Sequence, residues 1–253
     1  MLFVYHQSVV LLCDPALISG CVASMPSVSL ADVSAGVFRL LGVAVIQTEP
    51  TLPPVTQIDP LREAFPENMP CMHGPLVRWL GRTVLKVGGW RLIGRLPNQG
   101  KVVIIVAPHT SYWDGFFGFA CKFAVGVEMR SLIKSSLFWW PLGALLRWVG
   151  CIPLDRRLPQ GTVSQAVRAF RDSERMWYML APEGTRKRVE RWKHGFWKIA
   201  KYADVPVLPV YMDYPSKTIG IGDLFWPSDD MEADIAAIRA WYSPCRAKHS
   251  NRL

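Results

Sequence analysis

The chain is organised around residues 102–114, whose sequence is VVIIVAPHTSYWD. Its first six residues, 102–107, are an unbroken and mostly β-branched apolar run, which predicts a strand buried on both faces. A histidine released from the end of such a strand, here His109, stands at the edge of the sheet, where α/β folds tend to keep their chemistry. Asp114 follows five residues later, where the chain is predicted to turn into a helix over 113–125. One helical turn can bring its carboxylate back to the imidazole.

A histidine paired with a carboxylate can act as a general base. The carboxylate fixes the tautomer, and the free ring nitrogen takes a proton from a hydroxyl or a thiol. The same residues could instead be structural, with His109 capping a loop and Asp114 standing at a helix N-terminus. The pair alone leaves both interpretations open.

The composition favours a protein at a membrane surface over a nucleic-acid binder. Half of the 253 residues are hydrophobic, yet the formal net charge is +9, a combination that fits an anionic bilayer. Residues 1–70 hold two of the 29 basic side chains, six of the 20 acidic ones and none of the 11 Trp. The positive charge and the tryptophans are therefore concentrated in residues 71–253.

The same composition sets limits on membrane and metal sites. No run of about 18 consecutive apolar residues occurs, so we expect any membrane role to be peripheral or monotopic, at the cytoplasmic face. The six cysteines show neither a C-x-x-C motif nor the spacing of metal ligands. We expect them to be free thiols in a reducing compartment, and we predict no metal site.

Residues 1–74 are predicted to be a poorly structured, Pro-rich N-terminal extension. Apolar stretches at 2–13 and 37–46 could form a strand or a short helix, and the seven prolines between residues 48 and 75 are typical of a linker. Because Met69 and Met72 stand just ahead of the first well-patterned segment, this extension could be absent from the working protein.

Residues 75–100 predict amphipathic, membrane-associating helices. Over 76–96 the charged side chains are all basic and recur every four or five residues, with Gly88-Gly89 offering a bend. A basic, Trp-bearing amphipathic helix or helix pair suits an interfacial anchor, although an ordinary surface helix would give the same pattern.

Residues 101–253 predict the main domain. Strand and helix patterns alternate, which favours an α/β fold with a mixed, largely parallel sheet flanked by helices. The predicted strands are 102–107, 129–133, 150–154, 176–181 and 206–211. The predicted helices are 113–125, 138–148, 161–173, 193–203 and 230–242.

Three more blocks follow the His-Asp pair along the chain. Residues 150–156 read GCIPLDR and are preceded by Lys134, residues 182–186 read PEGTR, and residues 205–210 read VPVLPV. Arg156 and Arg186 each stand just beyond a predicted strand, where two guanidinium groups could hold a phosphate.

The third block adds a carboxylate and a glycine. Glu183 can accept a hydrogen bond from a hydroxyl or steady an arginine, and Gly184 lets the backbone approach closely. Singly, each of these residues could be a solvated charge or part of a plain turn.

Taken together, the four blocks resemble the glycerolipid acyltransferase family, whose best-known members are the 1-acylglycerol-3-phosphate (lysophosphatidic acid) acyltransferases. That family shows H-x4-D, G-x5-R, E-G-T-R and a V-P-[IV]-x-P-V strand in this order, and the chain matches all four over about residues 75–215. The E-G-T-R block downstream of H-x4-D is the specific signal, whereas G-x5-R alone is weak.

The resemblance implies a function and a role for each matched residue. The expected reaction transfers a fatty acyl group from acyl-CoA or acyl-carrier protein to a lysophospholipid hydroxyl, with no covalent acyl-enzyme and no cofactor. His109 would be the base and Asp114 would orient it. The residues implied in binding the acceptor or shaping its site are Ser111, Lys134, Arg156, Glu183, Gly184, Thr185, Arg186 and Lys193.

The match is not complete. Pro108 precedes the histidine where many members carry Asn, and residues 213–220 and the basic tail through Arg252 match no family feature with an assigned role. These departures suggest a bacterial subgroup whose acceptor need not be lysophosphatidate; glycerol 3-phosphate and other lyso-lipids remain open.

Two other functions are compatible with parts of the sequence. A hydrolase would pair His109 with a Ser or Cys nucleophile, but no G-x-S-x-G elbow occurs. A non-catalytic basic module that binds membranes or nucleic acid would use the stripe over 76–96, but it would leave the spacing of the four blocks as coincidence.

Overall fold

The computed structural model describes residues 2–5, 8–11, 45–46, 52–71, 74–154, 161–185, 189 and 191–248. The chain falls into two compact units, Met1–Leu52 and Pro53–Leu253. In the first unit, strands β1 (Leu2–Tyr5), β2 (Ser8–Leu11) and β3 (Val45–Ile46) form an antiparallel sheet in the order β1-β2-β3.

The second unit is built on a sheet of seven described strands. They are β4 (Arg91–Gly94), β5 (Lys101–Ala107), β6 (Met129–Lys134), β7 (Cys151–Leu154), β8 (Met176–Leu180), β9 (Val207–Asp213) and β10 (Thr218–Ile221). Their order is β4-β10-β9-β5-β8-β6-β7, and among these strands the β9–β10 pair alone is antiparallel. The predicted α/β fold with a mixed, largely parallel sheet is confirmed.

Helices cover the sheet in the described part of the second unit. They are α1 (Pro75–Val87), α2 (Tyr112–Val125), α3 (Leu142–Trp148), α4 (Gly161–Asp172), α5 (Gly195–Ala203) and α6 (Met231–Tyr242). A short 3-10 helix spans Ser135–Leu137. The helix predicted over 138–148 begins only at Leu142, whereas α2, α4, α5 and α6 match their predicted bounds to within two residues.

Strand β5 forms the centre of the sheet. Residues 102–105 are at most 1% exposed, because β5 pairs in parallel with β8 on one side and β9 on the other and both faces carry helices. Its β-branched side chains fill the pleated surface on each face. The chain leaves β5 at Ala107 and reaches His109 two residues later.

The second of the two helices predicted over residues 75–100 is a strand in the structure, β4. Helix α1 ends at Val87, Gly88 donates its N–H to the carbonyl of Val84, and Gly89 has φ +73°. The chain then enters β4, which pairs in parallel with β10 and buries Leu92 in the core. The glycine pair ends the helix, as C-terminal glycines do, and the partner strand lies more than 120 residues away in sequence.

Strand β10 (Thr218–Ile221) was not predicted. Its four residues are all buried, and Gly220 lies directly beneath the ring of Tyr211 on the neighbouring strand. A short strand with a central glycine carries little periodic signal, so its pairing partners define it.

The segment over residues 53–71, interpreted from its prolines as part of a linker, belongs to the second unit and packs on its core. Met69 is 1% exposed, and Leu61 and Phe65 lie against the core. The carbonyl of Ile58 accepts from Gly94 N, 3.0 Å away. This segment is irregular because its prolines cannot donate to a ladder, yet it covers apolar surface.

Helix α1 packs on α2 through a glycine. A Cβ at Gly81 would lie 2.7 Å from the carbonyl oxygen of Ala120 and against the backbone of Ala124. Only a residue without a side chain allows this close approach of the two helices. Among the described helices, none has the length and apolarity needed to span a bilayer.

The contact at Gly81 can be tested by a single methyl group. We expect Gly81→Ala to lower the free energy of unfolding by about 1–3 kcal/mol, because the added Cβ forces the helices apart. Helix propensity alone predicts the opposite sign, a gain of about 1 kcal/mol. The measurement is chemical denaturation of Gly81→Ala and of the control variant below, each against the wild type.

Gly115 provides the matched control, since it is a glycine in α2 whose added Cβ would meet no atom within 4 Å. Gly115→Ala should be neutral or stabilising. Equal stability of the two variants would contradict close packing at Gly81.

Candidate active site

The N-terminus of α2 places Asp114 beneath the loop that carries His109. Ser111 is the N-cap, and its hydroxyl accepts from Trp113 N at 3.1 Å. The Asp114 carboxylate reaches back and accepts from Ser111 N at 2.8 Å, which completes a capping box. The five residues from His109 to Asp114 thus let the chain leave β5 and form one capped helical turn that brings the carboxylate back to the histidine.

The imidazole of His109 lies beside this carboxylate. Its Nδ1 is 3.3 Å from Asp114 Oδ2, and the His109 side chain is 29% exposed whereas that of Asp114 is 1% exposed. A carboxylate at Nδ1 favours the tautomer with the proton on that nitrogen, which leaves Nε2 to accept a proton. The two residues that sequence analysis paired are therefore in contact.

Asp114 is buried but surrounded by donors. Its Oδ2 also accepts from Thr110 N at 2.7 Å, and its Oδ1 accepts from the hydroxyl of Tyr214 at 2.6 Å. Burial alone would raise the pKa of Asp114, but the hydrogen bonds from His109, Tyr214 and the two backbone amides outweigh it and lower the pKa. The carboxylate therefore stays charged beside the imidazole.

Glu183 reaches the same loop from the neighbouring strand. Because β5 and β8 are parallel neighbours, their carboxyl ends lie side by side, and Glu183 Oε2 accepts from the backbone N–H of His109 at 3.0 Å. Glu183 is 7% exposed. Burial raises its pKa to about 7, although the hydrogen bond from His109 opposes the shift.

The turn after Glu183 brings a lysine close. Gly184 has φ +64°, and Lys193 donates its N–H to the carbonyl of Pro182 at 2.9 Å. The Lys193 side chain lies across Gly184, so a Cβ there would stand 2.7 Å from Lys193 Cδ. The predicted residues Glu183, Gly184 and Lys193 thus form one structural element, with Thr185 following Gly184 in the same turn.

Other predicted site residues are placed only in part. Lys134 ends β6 at the edge of the sheet where β5 and β8 also end, and its side chain is not described. Arg156 and Arg186 lie outside the described residues. Ser111, inferred as an acceptor-site residue from the resemblance, uses its buried hydroxyl as the α2 cap.

Sequence analysis missed Tyr214. It stands in the turn between β9 and β10, within the segment that matched no assigned family feature. The available signal was its position, because it directly follows a strand of the same sheet, but nothing in the sequence connects it to a residue 100 positions away. Among the described residues, no group of His, Cys, Asp and Glu side chains is arranged to hold a metal ion.

Comparison with known proteins relates the domain that carries this site to a family. Residues 91–213 match the family model described as Acyltransferase. A 1-acyl-sn-glycerol-3-phosphate acyltransferase of Streptococcus pneumoniae strain R6 is 31% identical over 132 residues, which are 50% of this chain and 47% of that protein. The lysophospholipid acyltransferase LPCAT4 of Xenopus tropicalis is 29% identical over 153 residues, 56% of this chain and 28% of that protein. The chain thus spans about half or less of these relatives.

A solved structure shares the fold. The crystal structure of the 1-acyl-sn-glycerophosphate (LPA) acyltransferase PlsC from Thermotoga maritima superposes with a TM-score of 0.50 over 66% of this chain and 78% of that one, at 15% identity. The resemblance inferred from the four sequence blocks is confirmed: the domain at residues 91–213 belongs to the acyltransferase family, and its matched relatives are O-acyltransferases that include 1-acyl-sn-glycerol-3-phosphate acyltransferases.

Proposed function

We propose that this protein transfers a fatty acyl group from an acyl thioester, acyl-CoA or acyl-carrier protein, to the hydroxyl of a lysophospholipid, foremost 1-acylglycerol-3-phosphate. The observation that carries the proposal is the contact between His109 Nδ1 and the buried Asp114 carboxylate at 3.3 Å. It leaves Nε2 of a partly exposed imidazole as a base at the edge of the sheet. Glycerol 3-phosphate and other lyso-lipids are the alternative acceptors.

The proposed reaction proceeds in one addition and one elimination. Nε2 of His109 takes the proton from the acceptor hydroxyl as its oxygen attacks the thioester carbonyl carbon. The C–S bond then breaks, and the imidazolium returns the proton to the departing thiolate. Asp114 stabilises the imidazolium in between, as a buried carboxylate does in related triads. A thioester is already activated, so the mechanism as proposed uses no cofactor.

The acceptor's phosphate needs cations at the same edge. Lys193, whose side chain crosses Gly184 beside Glu183, is one candidate. Arg156 and Arg186, which follow β7 and β8 in sequence, are assigned to the phosphate by the family resemblance, and Lys134 ends the adjacent strand. Glu183 is assigned to the glycerol hydroxyl and to the loop that carries the base.

We also propose that the protein works at the cytoplasmic face of a membrane as a peripheral or monotopic protein. Four apolar residues of α1, all at least 53% exposed, follow one helical stripe: Leu76, Trp79, Leu80 and Val87. Two basic residues of the same helix face the domain, because Arg78 stacks on Phe65 at 4.3 Å and Arg82 Nε donates to the carbonyl of Ala124 at 3.4 Å. The outward face of α1 is therefore mainly apolar, with Lys86 exposed at its border, which suits the acyl boundary of an anionic bilayer.

A second set of exposed aromatic residues flanks α3, with two tryptophans just before its start and one at its last residue. Trp139, Trp140 and Trp148 are 59%, 85% and 51% exposed. Trp148 contacts Phe123 of α2, with ring centroids 5.8 Å apart, and α2 in turn packs on α1. Tryptophan prefers the headgroup region of a bilayer, so this group supports the same docking surface.

The mechanism predicts that His109→Ala reduces acyl transfer by about 10²–10⁴-fold or more, because the acceptor hydroxyl loses its base. The assay uses purified protein, both donor types and a panel of lyso-lipid acceptors. His194→Ala is the matched control, since His194 makes no cap hydrogen bond at the start of α5. Full activity of a folded His109→Ala protein would contradict the mechanism, and an acyl-enzyme trapped by rapid quench would favour the hydrolase.

The membrane proposal predicts a loss of vesicle binding in a triple variant, Leu76→Ser, Trp79→Ser and Leu80→Ser. Removing this much apolar area should weaken binding about tenfold or more, measured by co-sedimentation with anionic phosphatidylglycerol vesicles. Tyr202→Ser with Trp226→Ser is the control, because both are similarly exposed, at 59% and 55%, on other elements. Equal vesicle binding by both variants would count against the α1 surface. A gel shift with DNA would instead favour the nucleic-acid-binding alternative.

A further inference from the structure

Tyr214 and His109 use different oxygens of one carboxylate. Oδ2 of Asp114 faces His109 Nδ1 and accepts from Thr110 N and Ser111 N. Oδ1 accepts from the Tyr214 hydroxyl at 2.6 Å. The two amides fix the position of Oδ2, but a second contact at Oδ1 is needed to fix the plane of the carboxylate, and Tyr214 supplies it.

Packing and backbone hydrogen bonds hold the Tyr214 ring in place. Trp90 packs edge-on against it, with centroids 5.0 Å apart at 88°. The backbone N–H of Tyr214 donates to the carbonyl of Arg246 at 3.1 Å. The preceding residue, Asp213, is fully buried and accepts from Ser216 N and Arg246 N. The hydroxyl is therefore presented to Asp114 at little further cost in side-chain entropy.

Charge determines the direction of this hydrogen bond. Burial first, and then the Asp114 carboxylate, raise the pKa of Tyr214 well above its usual value, so the phenol stays neutral and donates. The other titratable groups facing this site in the described residues are His109, which contacts Asp114, and Glu183, which binds the His109 backbone. Lys248 lies nearby, over the ring of Trp113 at 4.7 Å.

We propose that Tyr214 is a positioning residue for acyl transfer: its hydroxyl fixes the plane of the Asp114 carboxylate and moderates the charge that Asp114 presents to His109. The inference rests on the proposed function, because it assumes that His109 is the base. A hydrogen bond to a carboxylate withdraws charge from it. Without the donor, the carboxylate stabilises the imidazolium more strongly and orients it less well.

Tyr214→Phe removes the hydroxyl and keeps the ring against Trp90. We expect kcat to fall about tenfold, the size expected from one charge-assisted hydrogen bond, with KM for both substrates nearly unchanged. We also expect the acidic limb of the kcat/KM profile to move to higher pH, because Asp114, without the hydrogen bond from Tyr214, presents more negative charge at its contact with His109. A role in packing alone would not move this limb.

Tyr211→Phe is the matched control. Tyr211 is a buried tyrosine of β9, three residues away, and its hydroxyl has no hydrogen-bond partner among the described residues. Removing that hydroxyl should leave both kcat and the pH profile unchanged. The stability of each variant is checked by thermal unfolding.

A double variant tests whether Tyr214 acts through Asp114. In an Asp114→Asn background the carboxylate charge is gone, so adding Tyr214→Phe should lower the residual kcat less than twofold. If the two residues acted independently, the two reductions in kcat would multiply. If Tyr214→Phe does not fold, Trp90→Phe, which loosens the ring but keeps the hydroxyl, should lower kcat and move the limb in the same direction; an unchanged profile would overturn the proposal.

The failure of this inference differs from the failure of the function. A Tyr214→Phe protein with unchanged kcat and pH profile, beside an inactive His109→Ala protein, overturns the role of Tyr214 alone. A fully active His109→Ala protein overturns the proposed function itself.

Discussion

The structure of the site depends on one buried carboxylate. Asp114 is withdrawn from water, and an unpaired charge in that position would cost several kcal/mol or be neutralised. Two backbone amides, a phenol and an imidazole surround it. The need to satisfy this charge explains why the loop after β5 is short, why α2 begins where it does and why the β9–β10 turn lies beside it.

The parallel sheet supplies the second constraint. Strands β5 and β8 run side by side, so the residues that follow them meet at one edge. Glu183 thereby binds the backbone of the residue whose ring contacts Asp114. One carboxylate fixes the main chain of His109 and the other its side chain. The two differ in electrostatics, because Asp114 has several donors and a lowered pKa, whereas Glu183 has a single described donor and a pKa of about 7.

The sequence predicted those features of the fold and the site that depend on residues close together in the chain. Three features act over a few residues, and each was predicted: the β-branched run of β5, the helical turn that brings Asp114 back to His109, and the strand-end position of Glu183. Strand β10 was missed because four residues with a central glycine carry little periodic signal. Strand β4 was missed because its partner strand β10 lies far away in sequence. Tyr214 was missed for the same reason, since its contact with Asp114 spans 100 residues. The charge pattern of α1 was informative, but only packing shows that Arg78 and Arg82 face the domain.

These long-range contacts also connect the two proposed surfaces. Helix α1, whose outward stripe is proposed to meet the membrane, ends at Val87. Trp90 follows three residues later and donates its backbone N–H to the carbonyl of Leu85 in α1. Trp90 packs on Phe117 of α2, with centroids 5.1 Å apart, and edge-on against Tyr214. The ring that positions the phenol is thus anchored between the helix that carries Asp114 and the end of the helix proposed to bind lipid. Close packing leaves little freedom for one of these groups to move alone, so the helix proposed to hold the protein at the bilayer also helps to hold the Asp114 carboxylate in register with His109.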